Sequence, residues 1–185
     1  TKIHAKRKMK KLIAIAALAF IQVINAQDAG RRAETISPKM MEAYELKAES
    51  RAAEFFSYVE LLTDPSANAE MKAQTTAEAL KLYQNDKVTL ENVFDGKESP
   101  VTVKKFLELA SAQKKKVGIS ITAVQVMQRG DTPKRRDWML TYELIVGKKV
   151  YNVSQMFSMI LEEKQFGNSK KLVWNSYLGE MRSIK

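Results

Sequence analysis

The sequence predicts an α+β domain in which a long helix lies along a bent antiparallel sheet. The stretch from Trp138 to Leu161 contains two runs of alternating apolar and polar side chains that meet at Gly147-Lys148-Lys149. A period of two is typical of half-buried strands, so these runs predict an antiparallel pair with one apolar face. From Pro38 to Thr63, apolar residues recur at steps of three and four. That spacing predicts an amphipathic helix long enough to cover a sheet.

The composition allows one domain with a sizeable core and removes several kinds of chemistry. The chain has 185 residues, of which 45% are apolar. It has no cysteine, and its single histidine, His4, precedes the predicted export signal. A mature chain without that signal has no thiol and no imidazole, which excludes disulfides, Cys or His metal sites and Ser-His-Asp catalysis. We therefore predict no metal, no cofactor and no catalytic residue.

The formal charge of +10 is concentrated at the N-terminus. Residues 1–26 hold six basic residues and no acidic one, which leaves 25 basic against 21 acidic residues, or +4, for residues 27–185. A mildly basic domain is a weak match to a polyanion-binding surface. We expect no nucleic-acid partner.

Residues 1–26 are predicted to be an N-terminal extension and a secretory signal peptide. Two lysines follow Met9, and an apolar run of thirteen residues broken only by Gln22 leads to Ala26. This order is typical of a bacterial-type signal, so we expect cleavage after Ala26 and a periplasmic or secreted protein. A membrane helix needs roughly 20 apolar residues, so we expect no stable membrane span once the signal is cleaved. An uncleaved anchor is the alternative.

Residues 27–36 are polar and are predicted to be a flexible leader, and residues 37–185 a single domain. Ser37-Pro38 has the residue types of a helix N-cap and first helical position. Asp64-Pro65 is expected to end this first helix and to cap a second one that runs to about Gln84.

A strand, a short helix and a bulged strand are predicted next. Apolar residues alternate from Lys87 to Phe94, before a turn at Asp95-Gly96. Thr102 is the predicted N-cap of a helix that extends from Val103 to Gln113. A strand then begins at Val117, and its apolar parity shifts near Ala123, as a β-bulge requires.

The remaining segments are predicted to be turns and a last strand. Gly130, Pro133 and three basic residues predict a loop over 129–137. A second turn is expected over 164–170, around Gly167-Asn168. The final strand is predicted from Leu172 to Met181, with Trp174 and Tyr177 on opposite faces.

In this order of elements, residues 37–182 resemble the nuclear-transport-factor-2-like (ketosteroid-isomerase-like) fold. The resemblance implies a curved antiparallel sheet wrapped around the first helix as a cone. Such folds host dehydratases, isomerases, ligand carriers, transport factors and assembly subunits. Enzymes of the ketosteroid-isomerase or scytalone-dehydratase kind use Asp, Tyr or His at the mouth of the cone, and an Asp/Tyr isomerase-like activity is one alternative. Tyr142 and Glu143 are neighbours on a strand, so they point to opposite faces and cannot form one site.

The leading hypothesis is an exported, non-enzymatic domain that binds a small apolar ligand or a protein partner at the concave sheet face. Amphipathic rings and an amide can orient a ligand in an apolar cavity. The candidate lining residues are Tyr58, Tyr142, Gln155 and Trp174. For each of them, packing in the core or at the surface is the competing interpretation.

Two other hypotheses concern partners. The open sheet could serve a homodimer or a cell-envelope assembly, anchored in the membrane if the signal is uncleaved, because strands rich in Tyr, Met and Phe are typical of interface cores. A weaker hypothesis places an anion site at Lys134, Arg135 and Arg136. Solvated turn residues are the competing interpretation of that cluster.

Overall fold

A computed structural model of the chain describes residues 37–94 and 100–184. The predicted signal, the leader up to Ile36 and the predicted turn at Asp95-Gly96 lie outside these residues. The fold is α+β. Its elements, in chain order, are α1 (Pro38–Thr63), α2 (Ala69–Lys81), β1 (Thr89–Leu90), β2 (Val101–Thr102), α3 (Val103–Ser111), β3 (Ile119–Thr132), β4 (Arg135–Val146), β5 (Lys149–Phe166) and β6 (Ser169–Ser183).

The six described strands form one mixed sheet in the order β2-β1-β6-β5-β4-β3. Strands β3 to β6 are joined by two-residue turns and form an antiparallel meander. Strand β1 lies parallel to β6, with Leu90 opposite Met181. The prediction of an entirely antiparallel sheet was therefore wrong at this edge. No hairpin joins β1 to β6, so the connection does not impose an antiparallel direction.

Capping side chains set the starts of the helices. The Ser37 hydroxyl oxygen accepts a 3.2 Å hydrogen bond from the Met40 amide, as expected for the N-cap of α1. The predicted start of α2 was wrong, because Asn68 is its N-cap and accepts from the Met71 amide at 2.8 Å. Asp64 instead accepts hydrogen bonds from both the amide and the hydroxyl of Ser66, which holds a turn between the two helices.

Side-chain hydrogen bonds also shorten the first strand. The predicted strand over 87–94 is reduced to β1, with only two residues in the ladder. Beyond it, the side-chain oxygen of Asn92 accepts a hydrogen bond from the Phe94 amide at 3.2 Å. This local turn removes Phe94 from pairing with the sheet. The Thr102 cap predicted for α3 is confirmed, although the helix ends at Ser111.

The loops predicted in the meander are shorter than expected. β3 and β4 continue to a two-residue turn at Pro133-Lys134, and the predicted loop over 129–137 was wrong. The turns at Gly147 and Gly167 have φ values of 61° and 58°, a region that glycine adopts without strain. The predicted bulge is confirmed, because the register of β3 shifts between Thr122 and Gln125 and Ala123 has a φ of 52°.

The two faces of the meander differ in character. Even-numbered residues of β4 and odd-numbered residues of β5 form the helix-covered face, on which Phe55 and Phe56 of α1 pack. Trp138, Leu140, Leu144 and Phe157 on this face are almost completely buried. The opposite parity forms what we call the open face, which is half-buried to exposed except at the buried Ser158. The core of the domain therefore lies between the three helices and one side of the sheet.

Candidate functional site

Two of the predicted pocket residues meet in the core. Tyr142 donates a 2.8 Å hydrogen bond to Oε1 of Gln155, and Nε2 of Gln155 donates to the Tyr83 hydroxyl at 3.2 Å. Phe56 packs edge-on against Tyr142, with the ring centroids 6.0 Å apart. All of these side chains are buried. The two residues thus bond to each other and to their neighbours, as a polar chain inside an apolar core.

Burial raises the pKa of both tyrosines in this hydrogen-bonded group of side chains. Removal from water disfavours the tyrosinate form, so burial raises the pKa of Tyr142. Burial also raises the pKa of Tyr83 well above its usual value, and the hydrogen bond from Gln155 opposes that rise only in part. Both hydroxyls are neutral at physiological pH, where they serve as hydrogen-bonding groups.

The other two predicted pocket residues lie elsewhere. Tyr58 is half-buried on α1 and donates a 3.2 Å hydrogen bond to Glu54 on the same helix. It is two positions beyond Phe56, which turns it about 200° around the helix and away from Tyr142. Trp174 is half-buried in the first half of β6, opposite Leu161, whereas Gln155 pairs with Met181 near the end of that strand. The structure does not bring Tyr58, Trp174 and the Tyr142–Gln155 pair together.

Trp174 instead belongs to a cluster around the side chain of Arg136. The Arg136 guanidinium lies 4.6 Å from the Trp174 ring centroid and 5.7 Å from that of Tyr44. It donates hydrogen bonds to the Tyr44 hydroxyl and to Asp131, both at 3.2 Å. Beside this cluster, the Tyr44 and Trp138 ring centroids are 5.5 Å apart. Trp138 is fully buried, and its Nε1 has no hydrogen-bond partner among the described residues.

The three residues of the weak anion-site hypothesis are divided between different surroundings. Lys134 lies exposed in the β3–β4 turn, whereas Arg136 is buried on the helix-covered face. Arg135 points to the open face, where its Nε donates to both oxygens of Asp137 at 2.9 and 3.0 Å. Adjacent strand residues face opposite sides, and both arginines are paired with aspartates. The three cations do not form one anion-binding surface.

A row of three methionines crosses the open face. Met127 on β3, Met139 on β4 and Met156 on β5 are directly paired in register. Met127 is 59% exposed, and the other two are half-buried. Further apolar side chains on the same face are Ile145, Val150 and Ile160. The result is an apolar centre on a sheet face against which none of the described helices packs.

Polar groups border this row on one side. Ser158 donates a 2.6 Å hydrogen bond to Asp137 and accepts one from Arg135 at 3.2 Å. Next to it, a groove of about 350 Å³ lies between β6 and the segment that follows α2, with Met156 and Gly179 among its lining residues. The network is internally paired, so its charges are compensated at the surface.

The sequence contained signals for two features that were missed. Arg136 has the parity of Trp138, so its place on the helix-covered face followed from the alternation in β4. Met127, Met139 and Met156 lie on the open face, and their alignment into one row depends on the strand register. That register follows from the bulge after Thr122 and from the lengths of the turns.

Over 37–94 and 100–184, no helix has both the length and the apolar character that a membrane span requires. In the same part of the chain, no three acidic, His or Cys side chains are grouped as metal ligands.

Comparisons with known proteins include a distant structural likeness. No protein-family model and no curated protein matches the chain. Among solved structures, the chain is similar to one described as Putative Scytalone Dehydratase from Novosphingobium aromaticivorans, with 10% identity and a TM-score of 0.35. The match covers 79% of this chain and 89% of that one.

Proposed function

We propose that this chain is a non-enzymatic interaction domain with a nuclear-transport-factor-2-like fold, and that its open sheet face binds a second copy of the chain. The observation that carries the proposal is the row of Met127, Met139 and Met156 on that face. Methionine is enriched in interface cores, and its flexible thioether adapts to an opposing surface. The fold assignment is supported by the order of two helices, two short strands, a helix and four long antiparallel strands.

The size of the open face is adequate for a stable dimer. Four strands about 4.8 Å apart, over about ten residues of β4, cover roughly 650 Å². Two such faces bury roughly 1,300 Å², which lies within the range of specific interfaces. A second copy brings an equal face of the same shape, so no further segment is needed to complete the interface.

The distribution of charge also favours a second copy. The centre of the face carries methionines and uncharged polar residues such as Thr141 and Ser154. Its charged groups have both signs, with Arg135 bound to Asp137 and Arg182 bound to Glu180. A twofold pair therefore brings together two nearly neutral surfaces, although residues 27–185 as a whole are mildly basic.

The oligomeric state tests this function. We expect the wild type to sediment as a dimer in analytical ultracentrifugation and Met127→Lys to weaken the dimer at least about tenfold, because a lysine would be desolvated in the apolar centre. Met71→Lys is the matched control, since Met71 on α2 is 52% exposed and Met127 is 59% exposed. A monomeric wild type at high concentration would reject the proposal. A dimer unaffected by Met127→Lys but lost in Met71→Lys would move the interface to α2.

A second candidate function is the binding of a small ligand at the Arg136 end of the helix-covered face. The fully buried Trp138 Nε1 favours it, because this donor has no partner within residues 37–94 and 100–184 and an acceptor on a ligand can stabilise an unsatisfied buried donor. The ligand would be mostly apolar with one acceptor oxygen. Native mass spectrometry of protein from its own host tests this, with Trp174→Ala for comparison. A wild type without any co-purified small molecule would reject it.

The site of action is part of the same proposal. The basic and apolar character of residues 1–26 supports export to the periplasm or the cell exterior, where a dimeric domain serves a cell-envelope assembly. N-terminal sequencing of the protein from its host is expected to give Gln27 as the first residue. A retained apolar segment would instead support the membrane-anchored alternative.

A further inference from the structure

The hairpin of β5 and β6 extends beyond the rest of the sheet. The last pair between β4 and β5 joins Arg135 to Ile160, whereas β5 and β6 remain paired up to Phe166 and Ser169. We call residues 162–173 the hairpin arm. Its five residue pairs extend about 17 Å. Every side chain from Glu163 to Leu172 is exposed, so the arm is a projecting ribbon.

The arm combines cations with exposed apolar side chains. Lys164 and Lys171 are directly opposite each other on its open side, and Lys170 forms an ion pair with Glu163 at 2.7 Å. Like charges that face each other across two strands repel, so this arrangement is unfavourable unless an anion lies near both. Phe166 at the tip is 50% exposed and shares the side of Lys164.

Each face of the arm has one exposed apolar side chain, and the two lie at different distances from the tip. Phe166 lies on the open side, whereas Leu172 is 66% exposed on the other side, opposite Glu163. A flat partner buries only one side of a ribbon, and nucleic acid needs aromatic rings that line up on one face. A lipid interface surrounds the tip and can bury both sides. Leu172 is three pairs from the tip, or about 10 Å, and one pair farther from it than Lys164 and Lys171, so it reaches the headgroup layer and not the acyl chains when the tip is inserted.

We propose that the hairpin arm binds the surface of an anionic membrane, with Lys164 and Lys171 on lipid phosphates and Phe166 inserted among the acyl chains. The paired lysines bring two positive charges to one phosphate layer. The turn at Gly167-Asn168 is tight, with glycine at positive φ, so the tip is presented as a rigid element. The arm is thus a lipid-binding element separate from the open face.

The chain has no cysteine, so one introduced cysteine gives a single labelling site. Asn168→Cys in the full chain would carry an environment-sensitive fluorophore, and Lys148→Cys in the opposite β4–β5 turn is the matched control. With vesicles of equal phosphatidylcholine and phosphatidylglycerol, we expect a blue shift at position 168 only. With phosphatidylcholine alone, we expect none. Because position 148 is at the other end of the meander, it also controls for tethering by the apolar N-terminal segment.

Substitutions in the arm separate the contribution of the lysine charges to lipid binding from that of the apolar Phe166 ring. Lys164→Gln with Lys171→Gln should raise the lipid concentration at half-maximal shift roughly thirtyfold, since each lysine near an anionic surface contributes about one kcal/mol. Phe166→Ser should raise it roughly tenfold. Lys149→Gln, at the start of β5 beside the opposite turn, should leave that lipid concentration unchanged. No shift on anionic vesicles, an equal shift at position 148, or a shift unaffected by the paired lysine substitutions would each overturn the proposal.

Discussion

Tyr142 on β4 and Gln155 on β5 form a 2.8 Å hydrogen bond that is completely enclosed by the core. They are diagonal neighbours, because Tyr142 is in register with Val153 and Gln155 with Leu140. The Gln155 amide extends the bond to Tyr83, in the segment that follows α2. One amide therefore links two strands and a helix end through groups that water does not reach.

Replacement of Gln155 by alanine should lower the free energy of unfolding by about 3 kcal/mol. The change leaves the hydroxyls of Tyr142 and Tyr83 without their shared partner and opens a cavity beside them. Urea unfolding followed by tryptophan fluorescence measures the effect. Gln125→Ala is the control, because Gln125 is exposed on the open face and its loss should change stability by less than about 0.5 kcal/mol. Equal effects of the two substitutions would show that the buried chain contributes no stability.

The same tyrosines predict a loss of stability at alkaline pH. Burial raises the pKa of Tyr142 and Tyr83 above the usual 10.0, so the folded chain keeps both neutral where the unfolded chain ionises them. Their contribution is complete below pH 10.0 and is lost as the pH rises above that value. The slope should approach about 1.4 kcal/mol per pH unit for each tyrosine.

Urea titrations at several alkaline pH values would measure that slope, and Tyr142→Phe should remove the part that Tyr142 contributes, about 1.4 kcal/mol per pH unit. Ultraviolet absorbance of tyrosinate should show that these two rings ionise only together with unfolding. A Tyr142→Phe variant with the wild-type slope would contradict the assignment. Tyr151→Phe is the control, since Tyr151 is only half-buried.

Local signals in the sequence predicted the helices and strands better than the site. The pair Ser37-Pro38 marked the start of α1, because a capping hydroxyl and a proline act within one turn. Gly130 and Pro133 indicated a long loop, yet β3 includes Gly130 and only Pro133-Lys134 form the turn. Pairing along the whole hairpin outweighs the weak strand preference of a single glycine.

The candidate site depends on register, which local patterns do not determine. Tyr142 and Gln155 share the correct parity, so a common face was predictable for them. The contact of Gln155 with Tyr83 was not predictable, because it depends on where the segment after α2 lies relative to β6. Tyr58 was placed with them because it is aromatic, but the helical rotation from Phe56 turns it away.

Arg136→Lys should lower the free energy of unfolding by about 1–2 kcal/mol. Lysine has no planar group to stack on Trp174 and cannot donate to Tyr44 and Asp131 in the same geometry. Urea unfolding followed by circular dichroism measures the loss without relying on the neighbouring tryptophans. Arg182→Lys is the control, because the Arg182 side chain is 70% exposed and its pair with Glu180 is solvated. Similar losses of unfolding free energy in both variants would mean that the buried contacts of Arg136 contribute no extra stability.

Gly179→Ala should destabilise the domain by about 1–3 kcal/mol, because an added Cβ would lie 2.8 Å from Cβ of Met156. The clashing atom is next to the β5 backbone, so it cannot swing aside, and the irregular pairing of β6 at this point would have to shift. Gly118→Ala is the matched control. Nothing lies within 4 Å of its added Cβ, and we expect no loss of stability there.

The carbonyl of Gly179 also accepts a 3.4 Å hydrogen bond from Gln155, so the two positions should be coupled. In a double-mutant cycle, Gly179→Ala combined with Gln155→Ala should cost less than the sum of the single changes by at least about 0.5 kcal/mol. Strict additivity would show that the shift of β6 does not reach the buried amide. A coupling energy of the expected size would instead show that the packing of Gly179 against Met156 and the hydrogen bonds of Gln155 depend on each other.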